Sequence, residues 1–244
     1  MKQSVFTIKT NRALTDSVYE MTLEGDVSAI TASGQFVNLQ LDGLYLRRPI
    51  SVCDCENGVL TLVYKVVGKG TEQMSKMKSG QTVDILTGLG NGYNLEKSGA
   101  SPLLIGGGVG VPPMYMLAKQ LIKQGKNVKV ILGFNTAKEV FYYDEFVRLG
   151  AKVIVTTVDG SAGVKGFVTD AMSDDYSYFY CCGPEPMLKA VYKKSVTSGQ
   201  MSFEERMGCG FGACMGCSCK TIAGYKRICK DGPVMEKEEI LWND

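Results

Sequence analysis

PLLIGGGVGVPPMYML, residues 102–117, is the stretch that decides the fold of this chain. A short apolar run leads into glycines, and two prolines then open a segment whose apolar residues lie three and four apart. This order is typical of a buried parallel strand, a tight loop and a helix. The glycines and prolines argue against a membrane-spanning helix in this most apolar part of the chain. We therefore expect an α/β unit here and no membrane partner.

The alternation of strands and helices continues beyond this stretch. Apolar runs predict parallel strands at Leu103 to Ile105, Val128 to Leu132, Val153 to Thr157 and Tyr178 to Cys181. Apolar residues at helical spacing predict helices at Met114 to Lys123, Tyr143 to Leu149 and Glu185 to Val196. Such alternation indicates a doubly wound α/β domain with a parallel sheet.

The part before residue 100 has a different period. Apolar and polar residues alternate in six stretches, Val5 to Lys9, Val18 to Leu23, Phe36 to Leu41, Ile50 to Cys53, Leu60 to Val67 and Thr82 to Leu86. Turn residues separate them, which predicts an antiparallel β-barrel. One short helix is predicted at Thr71 to Met77, with Thr71 as its N-cap.

The carboxyl-terminal part carries GCGFGACMGCSC, residues 208–219, and then RICKDGP, residues 227–233. Four residues separate Cys209 from Cys214, and two separate Cys214 from Cys217. This is the C-x4-C-x2-C order of plant-type ferredoxins, in which a more distant cysteine, here Cys229, is the fourth ligand. The intervening glycines allow the loop to wrap closely and to direct N–H groups at sulfur. The spacing predicts a [2Fe-2S] cluster and an electron carrier.

Two other uses of the cysteines were weighed. A structural zinc site would more often contain two CxxC pairs, and only Cys214 and Cys217 form one, so zinc is a weaker alternative. A disulfide framework is disfavoured because the nine cysteines are odd in number and the start, MKQSVFTIKTNR, has no apolar secretory core. We expect a reducing, cytoplasmic location. The remaining cysteines, Cys53, Cys55, Cys181, Cys182 and Cys219, are expected to be small buried side chains.

Length and composition set the domain organisation. With 244 residues, 45% of them hydrophobic, the chain can hold two globular domains and a small appendage. The changes of pattern divide it into a barrel domain at 1–99, an α/β domain at 100–199 and a cluster domain at 200–244. A net charge of +2 with interleaved signs does not favour nucleic acid as a partner. Histidine, the commonest general base, is absent.

The glycine loop GGGVGVPP, residues 106–113, lies where backbone N–H groups and a helix dipole can bind a dinucleotide phosphate. It reads GxGxxP, so it lacks the third glycine of the dehydrogenase fingerprint. Taken alone, the loop is equally consistent with a tight turn that binds nothing. GKGT at Gly68 to Thr71 lacks the earlier glycine of a Walker motif.

Four motifs in order carry a family resemblance. RPIS at Arg48 to Ser51 is similar to the flavin signature of the ferredoxin reductase superfamily, and YKVVGKGT, GGGVGVPP and CGPEPM follow in that family's order. With the ending ERMGCGFGACMGCSC and KRICKDGPV, the whole chain resembles the electron-transfer subunits of two-subunit, NAD-dependent dihydroorotate dehydrogenases.

The resemblance implies a function in pyrimidine biosynthesis. Electrons would pass from an FMN-containing dihydroorotate dehydrogenase catalytic subunit through a [2Fe-2S] cluster and FAD to NAD+, in a heterotetramer of two subunits of each kind. The cofactors would carry the chemistry, and no side chain of this chain would be catalytic. One alternative is a reductase subunit of a hydrogenase or of a bifurcating ferredoxin-NADP oxidoreductase. Another, of a different class, is a zinc-stapled binding module.

The resemblance also implies the cofactor-binding residues. For FAD they are Arg48, Pro49, Ile50, Ser51, Val63, Tyr64, Lys65, Gly70 and Thr71. For NAD they are Gly108, Gly110, Cys182, Gly183 and Pro184, and for the cluster Cys209, Cys214, Cys217 and Cys229. Arg48 would bind the FAD pyrophosphate and Ser51 the flavin ring, although a surface arginine and a turn serine are also consistent with the pattern. FNTAKE offers Lys138 but no arginine for a 2′-phosphate, which favours NAD over NADP.

Overall fold

The computed structural model describes residues 1–242 and begins with a closed six-stranded antiparallel barrel. The strands are β1 (Lys2–Ala13), β2 (Val18–Glu24), β3 (Phe36–Leu39), β4 (Arg48–Glu56), β5 (Val59–Lys65) and β6 (Thr82–Leu89), in the order β1-β2-β5-β4-β3-β6. Inward-facing residues such as Val37 and Leu39 of β3 and Leu60 and Leu62 of β5 are fully buried in the barrel core. The predicted antiparallel barrel is confirmed.

A single helix, α1 (Lys69–Ser75), lies between β5 and β6. The prediction that Thr71 is its N-cap is wrong, because the cap is Gly68 and Thr71 is the third residue of the helix. The Thr71 hydroxyl instead accepts hydrogen bonds from the backbone N–H groups of Val67, at 2.9 Å, and Gly68, at 3.3 Å. Thr71 therefore stabilises the start of the helix from within its first turn.

A seven-stranded sheet follows the barrel. Its first strands are β7 (Leu103–Gly107), β8 (Lys129–Phe134), β9 (Lys152–Thr157), β10 (Val164–Lys165), β11 (Phe179–Cys182) and β12 (Gly199–Ser202), all parallel. The helices are α2 (Pro112–Lys123), α3 (Tyr143–Leu149) and α4 (Glu185–Lys194). After β7 the chain moves outward to β10 and then returns to place β11 on the other side of β7. The crevice above β7 and β11 is therefore the topological switch point of the sheet, where ligands bind in open α/β folds.

The cysteine-rich segment forms a hairpin, β13 (Ser218–Thr221) and β14 (Gly224–Arg227), and a last strand, β15 (Val234–Glu236). β15 pairs antiparallel with β12 and completes the sheet order β10-β9-β8-β7-β11-β12-β15. The boundary predicted at residue 200 falls within β12. Strands from both sides of that boundary thus share one sheet. Residues 243 and 244 of the predicted cluster domain lie outside the described part of the chain.

The barrel and the sheet pack against each other through shared apolar clusters. Cys53 and Val63 of the barrel belong to the same buried cluster as Met114 and Leu117 of α2, and Met116 of α2 reaches the barrel core. Burial of this kind is what holds α2 against β4. Within residues 1–242, no helix combines the length and apolar character needed to cross a bilayer.

Candidate cofactor sites

The segment RPIS lies at the start of β4, paired with β3 on the barrel surface. Pro49 is opposite Asn38, and Ser51 is opposite Phe36. Since alternate residues of a strand face opposite sides, and Val37 lies in the barrel core, Phe36 and Asn38 face out of the barrel. Ser51 and Pro49 lie beside them on the outer face. Phe36 and Asn38 are covered by the carboxyl-terminal segment. On this face only Pro49 and Ser51, half of the flavin signature, remain partly exposed.

Arg48 lies against the first turn of α1. A Cβ atom at Gly70 would overlap the Arg48 guanidinium, so only glycine allows this close approach. One guanidinium nitrogen, Nη1, donates to the carbonyl oxygens of Leu46 and Arg47, the latter at 3.3 Å. The guanidinium and the start of α1 therefore form one cationic corner, which fits the pyrophosphate of FAD.

The three predicted residues of β5 face different environments. Val63 is buried between the barrel and α2, and Lys65 is exposed. Tyr64 lies in the barrel core, where its hydroxyl donates to Asn11 Oδ1 at 2.9 Å and its ring stacks on Tyr19. Burial raises the pKa of the Tyr64 hydroxyl well above its usual value. The Tyr64 side chain therefore faces away from the outer surface that carries Ser51, and only its backbone remains as a flavin contact.

The predicted NAD residues lie together at the carboxyl ends of the adjacent strands β7 and β11. A Cβ atom at Gly110 would overlap the carbonyl oxygen of Cys182, and one at Gly183 would lie 3.2 Å from the backbone nitrogen of Gly107. The two loops are thus packed backbone against backbone. Gly108, with φ of +52°, has open space in front of it. This crevice fits a dinucleotide that approaches the backbone closely.

Glu139 is a candidate that the sequence analysis missed. It follows β8, the second parallel strand, where its Oε2 accepts hydrogen bonds from the backbone nitrogen of Asn135, at 3.2 Å, and from Asn135 Nδ2, at 2.9 Å. An acidic residue at this place binds the ribose hydroxyls of NAD and repels a 2′-phosphate. The signal is present in FNTAKE, where Glu139 directly follows Lys138.

Cys209 and Cys214 form the first sulfur pair. Cys209 Sγ accepts hydrogen bonds from the backbone nitrogens of Ala213, at 3.2 Å, and Cys214, at 3.4 Å. Partial burial by itself would raise the pKa of the Cys209 thiol, but the hydrogen bonds from Phe211, Cys214 and Ala213 outweigh it and lower the pKa to about 6. The loop thus stabilises a thiolate, the form that binds iron.

Cys217 and Cys229 form the second sulfur pair. The backbone nitrogen of Cys229 donates to Cys217 Sγ at 3.4 Å, and both residues are buried. Burial, followed by the neighbouring Cys217, raises the pKa of Cys229 to about 12. Cys219 lies half-buried on β13, opposite Lys226. Two separate pairs suit a cluster in which each of two irons takes two cysteines.

Zinc remains the weaker alternative for these cysteines. A structural zinc ion is most often bound by two CxxC pairs, and only Cys214 and Cys217 form one. The C-x4-C-x2-C order with the distant Cys229 fits an iron–sulfur cluster better than zinc.

Arg227 hydrogen-bonds to the cluster loop, a role that was not predicted from the sequence. Its Nη1 donates to the carbonyl of Gly212 at 2.9 Å, and its Nε pairs with Asp231 at 3.0 Å. The Arg227 hydrogen bonds lower the pKa of Asp231, so the carboxylate persists at neutral pH. The signal was the four-residue spacing of arginine and aspartate in RICKDGP.

The fold and these sites define a class, the flavin- and NAD-dependent reductases with an attached iron–sulfur domain. A family model described as an oxidoreductase NAD-binding domain matches residues 104–193, and one described as the iron-sulfur cluster binding domain of dihydroorotate dehydrogenase B matches residues 204–241. The dihydroorotate dehydrogenase B (NAD(+)) electron transfer subunit of Bacillus pumilus is 43% identical and covers 98% of both chains. The chain belongs to this family of electron transfer subunits.

Other comparisons agree with the class of reductases that carry an iron–sulfur domain. The corresponding subunit of Fusobacterium nucleatum is 42% identical over 98% of this chain and 99% of its own. Among solved structures, an NADH-dependent reduced ferredoxin-NADP oxidoreductase, described in a study of flavin-based electron bifurcation, is 32% identical with a TM-score of 0.88. The match covers 98% of this chain and 90% of that one. The family resemblance seen in the sequence is confirmed.

Proposed function

We propose that this chain carries electrons from an FMN-containing dihydroorotate dehydrogenase subunit through a [2Fe-2S] cluster and FAD to NAD+. The observation that carries the proposal is the contact between the cluster loop and the flavin strands. Asn38 Nδ2 donates to the carbonyl of Cys209 at 3.3 Å, and Asn38 is the strand partner of Pro49 in the flavin signature. Asn38 is thus the single residue between the predicted cluster site and the predicted flavin signature.

The residues of this chain hold, orient and shield the cofactors. Arg48 and the start of α1 bind the FAD pyrophosphate, while the outer face of β4, with Pro49 and Ser51, supports the flavin ring. We assign the dinucleotide to the crevice at Gly108, Gly110 and Gly183. The cofactors supply the redox chemistry, which is one-electron transfer at the cluster and hydride transfer between FAD and NAD.

The cofactors are FAD, a [2Fe-2S] cluster and NAD. The choice of NAD over NADP is supported by Glu139, an acidic residue just after the second parallel strand, where dinucleotide-binding sheets carry the carboxylate that binds a ribose hydroxyl of NAD. Lys138, the cation considered in the sequence analysis, is exposed on the same turn.

The partner and the location are parts of the same proposal. Relatives of this chain are named electron transfer subunits, which supports a separate catalytic subunit. We assign that role to an FMN-containing subunit in a heterotetramer with two copies of each chain. A reducing, cytoplasmic location fits nine free cysteines, four of which must remain thiolates for iron.

The second candidate function is that of a reductase subunit in a bifurcating ferredoxin-NADP oxidoreductase. Its support is the structural match to such an enzyme at 32% identity. The higher identity of 43% to a dihydroorotate dehydrogenase B subunit favours the first function. Copurification would separate the two, since the first requires an FMN protein and the second a larger iron–sulfur protein.

The test uses the purified chain with and without its catalytic partner. Alone, the chain should oxidise NADH with ferricyanide as acceptor and should form no orotate from dihydroorotate. Adding an FMN-containing dihydroorotate dehydrogenase subunit should produce dihydroorotate-dependent reduction of NAD+. Orotate formation by the chain alone, or a colourless preparation that contains zinc, would contradict the proposal.

A further inference from the structure

Lys230 directly follows the predicted ligand Cys229, and its side chain lies across the loop that carries Cys209 and Cys214. A Cβ atom added at Gly212 would lie 2.6 Å from Lys230 Cδ, 2.9 Å from its Cβ and 3.3 Å from its Cγ. The Lys230 stem is thus in close contact with the backbone at Gly212, where φ of +93° also favours glycine. The ammonium group, two bonds beyond Cδ, therefore lies close to the cluster loop.

Two cations meet the loop at Gly212, and they differ in whether they are paired. Arg227 donates to the Gly212 carbonyl at 2.9 Å and forms a salt bridge with Asp231 at 3.0 Å. Lys230 is exposed and forms no salt bridge within the described residues. Arg227 lowers the pKa of Asp231 most, and Lys230 adds a smaller effect. Asp231 thus largely cancels the charge of Arg227, whereas the charge of Lys230 stays uncompensated.

Lys230 also lies beside the second sulfur pair. It lines one small cavity together with Cys229 and Phe211. A cluster held by four thiolates becomes more negative by one charge when it takes up an electron without a proton. A nearby unpaired cation stabilises that more negative state, and net charge is one of the factors that set the potential of iron–sulfur clusters.

We infer that Lys230 raises the reduction potential of the [2Fe-2S] cluster, because its unpaired charge is held across the cluster loop at Gly212. Arg227 has a different role, since its hydrogen bond fixes the loop and its charge is cancelled by Asp231. The electron still comes from the catalytic subunit and passes on to FAD, so Lys230 changes only how readily the cluster accepts it. The inference rests on the proposed function, since it requires the cluster.

Two substitutions separate the charge of Lys230 from its packing. Lys230→Met keeps an unbranched stem on Gly212 and removes the charge. At a fixed solution potential, the ratio of reduced to oxidised cluster should fall about three- to tenfold, and tenfold is about 59 mV for one electron. Lys230→Arg keeps the charge and should keep the wild-type potential.

The effect of Lys230 should depend on salt. Because the side chain is exposed, ions screen its charge. The difference in potential between the wild type and Lys230→Met should therefore shrink as ionic strength rises from about 0.01 M to about 1 M.

Lys152→Met is the matched control. Lys152 is an exposed lysine at the start of β9, and the sheet order separates β9 from β15 by the strands β8, β7, β11 and β12. The substitution removes the same charge from the molecule at a distance from the cluster loop. We expect it to leave the potential of the cluster unchanged.

The measurements are the midpoint potential of the cluster, by redox titration followed with electron paramagnetic resonance, and the content of iron, sulfide and FAD. An unchanged potential in Lys230→Met, an equal shift in Lys152→Met, or a shift in Lys230→Arg as large as in Lys230→Met would overturn the inference. Loss of iron from Lys230→Met would assign the lysine to holding the loop, which also overturns it. Weaker binding of the catalytic subunit at an unchanged potential would make Lys230 a docking residue instead. A wild-type chain without iron would contradict the proposed function itself.

Discussion

Cys229 and Cys219 differ in what surrounds their sulfur atoms. Cys229 is buried beside Cys217, whose sulfur accepts its backbone N–H, whereas Cys219 lies on a two-stranded hairpin opposite Lys226. We expect Cys229→Ser to abolish or strongly perturb the cluster, because a hard oxygen replaces a soft thiolate. Cys219→Ser should keep normal iron and sulfide content and a normal visible spectrum. Loss of the cluster in Cys219→Ser with retention in Cys229→Ser would reverse the ligand assignment.

Arg48 is the one permanently charged group of the flavin signature. Its guanidinium lies on the first turn of α1 against Gly70, where it can donate to a phosphate. Arg48→Ala removes a charge-assisted contact worth about 1.5–3 kcal/mol, so FAD should dissociate about ten- to a hundredfold more readily. Flavin occupancy after gel filtration measures this, and iron content should not change.

Arg148→Ala is the control for this substitution. Arg148 is an exposed arginine of α3 that pairs only locally with Glu145 in the described contacts. The Arg148→Ala substitution removes the same charge far from the flavin signature, so flavin occupancy should stay at the wild-type level. Equal flavin loss in both variants, or none in Arg48→Ala, would return Arg48 to the role of a solvated surface residue.

Two kinds of residue could be assigned a role from the sequence: cysteines, whose spacing along the chain is diagnostic, and glycines, which allow a positive φ. The cysteine spacing and the glycine turns follow from local sequence, because they depend on neighbouring residues and on backbone freedom alone. The roles of Thr71 and Tyr64 could not be predicted in this way. The Thr71 side chain stabilises the start of a helix and the Tyr64 side chain lies in the barrel core, because tertiary packing decides where each side chain points. Asn38 could not be predicted, since its partner Cys209 lies 171 residues away.

At the scale of elements, the sequence predicts a glycine loop between β7 and α2. It does not reveal which contact in the folded protein requires glycine. The sequence indicates a phosphate loop or an empty turn, and the structure adds that Gly110 lies directly against the carbonyl of Cys182. The contact joins the carboxyl ends of two strands that are neighbours in the sheet but far apart in the chain. Only the strand order, which local pattern does not reveal, brings the loops together.

Gly110→Ala and Gly108→Ala form a matched pair within this loop. A methyl group at Gly110 must push the Cys182 loop away, which should cost about 1–3 kcal/mol and weaken NADH binding. A methyl group at Gly108 meets open space and has only the cost of a positive φ, about 1 kcal/mol. The NADH dissociation constant and the unfolding temperature are the measurements. A lower unfolding temperature for Gly108→Ala than for Gly110→Ala would contradict the packing argument.

At the scale of the whole molecule, a polar network with a buried Tyr142–Glu20 pair joins the barrel to the α/β domain. The Tyr142 hydroxyl donates to Oε2 of Glu20 at 2.7 Å, while Arg12 Nε binds Oε1 of the same carboxylate at 2.8 Å. Burial, first of all, raises the pKa of Tyr142 far above its usual value, and the Glu20 carboxylate raises it further. The hydroxyl therefore stays protonated and remains a donor at any physiological pH. The network connects β2 of the barrel to the start of α3 in the α/β domain.

Tyr142→Phe removes this donor while keeping the ring that packs edge-on against Tyr115. Glu20, which is 8% exposed, then lacks one of its two partners, so we expect a loss of about 1–3 kcal/mol in stability. For a chain of this size each kcal/mol lowers the unfolding temperature by about 2–4 °C. Tyr143→Phe is the control, because that neighbouring tyrosine is 42% exposed and should shift the unfolding temperature little.

If the network sets the alignment of the two halves, Tyr142→Phe should also slow NADH oxidation with ferricyanide at saturating NADH, whereas FAD and iron content stay constant. Equal unfolding temperatures for the two variants would show that the Glu20 carboxylate is satisfied without Tyr142.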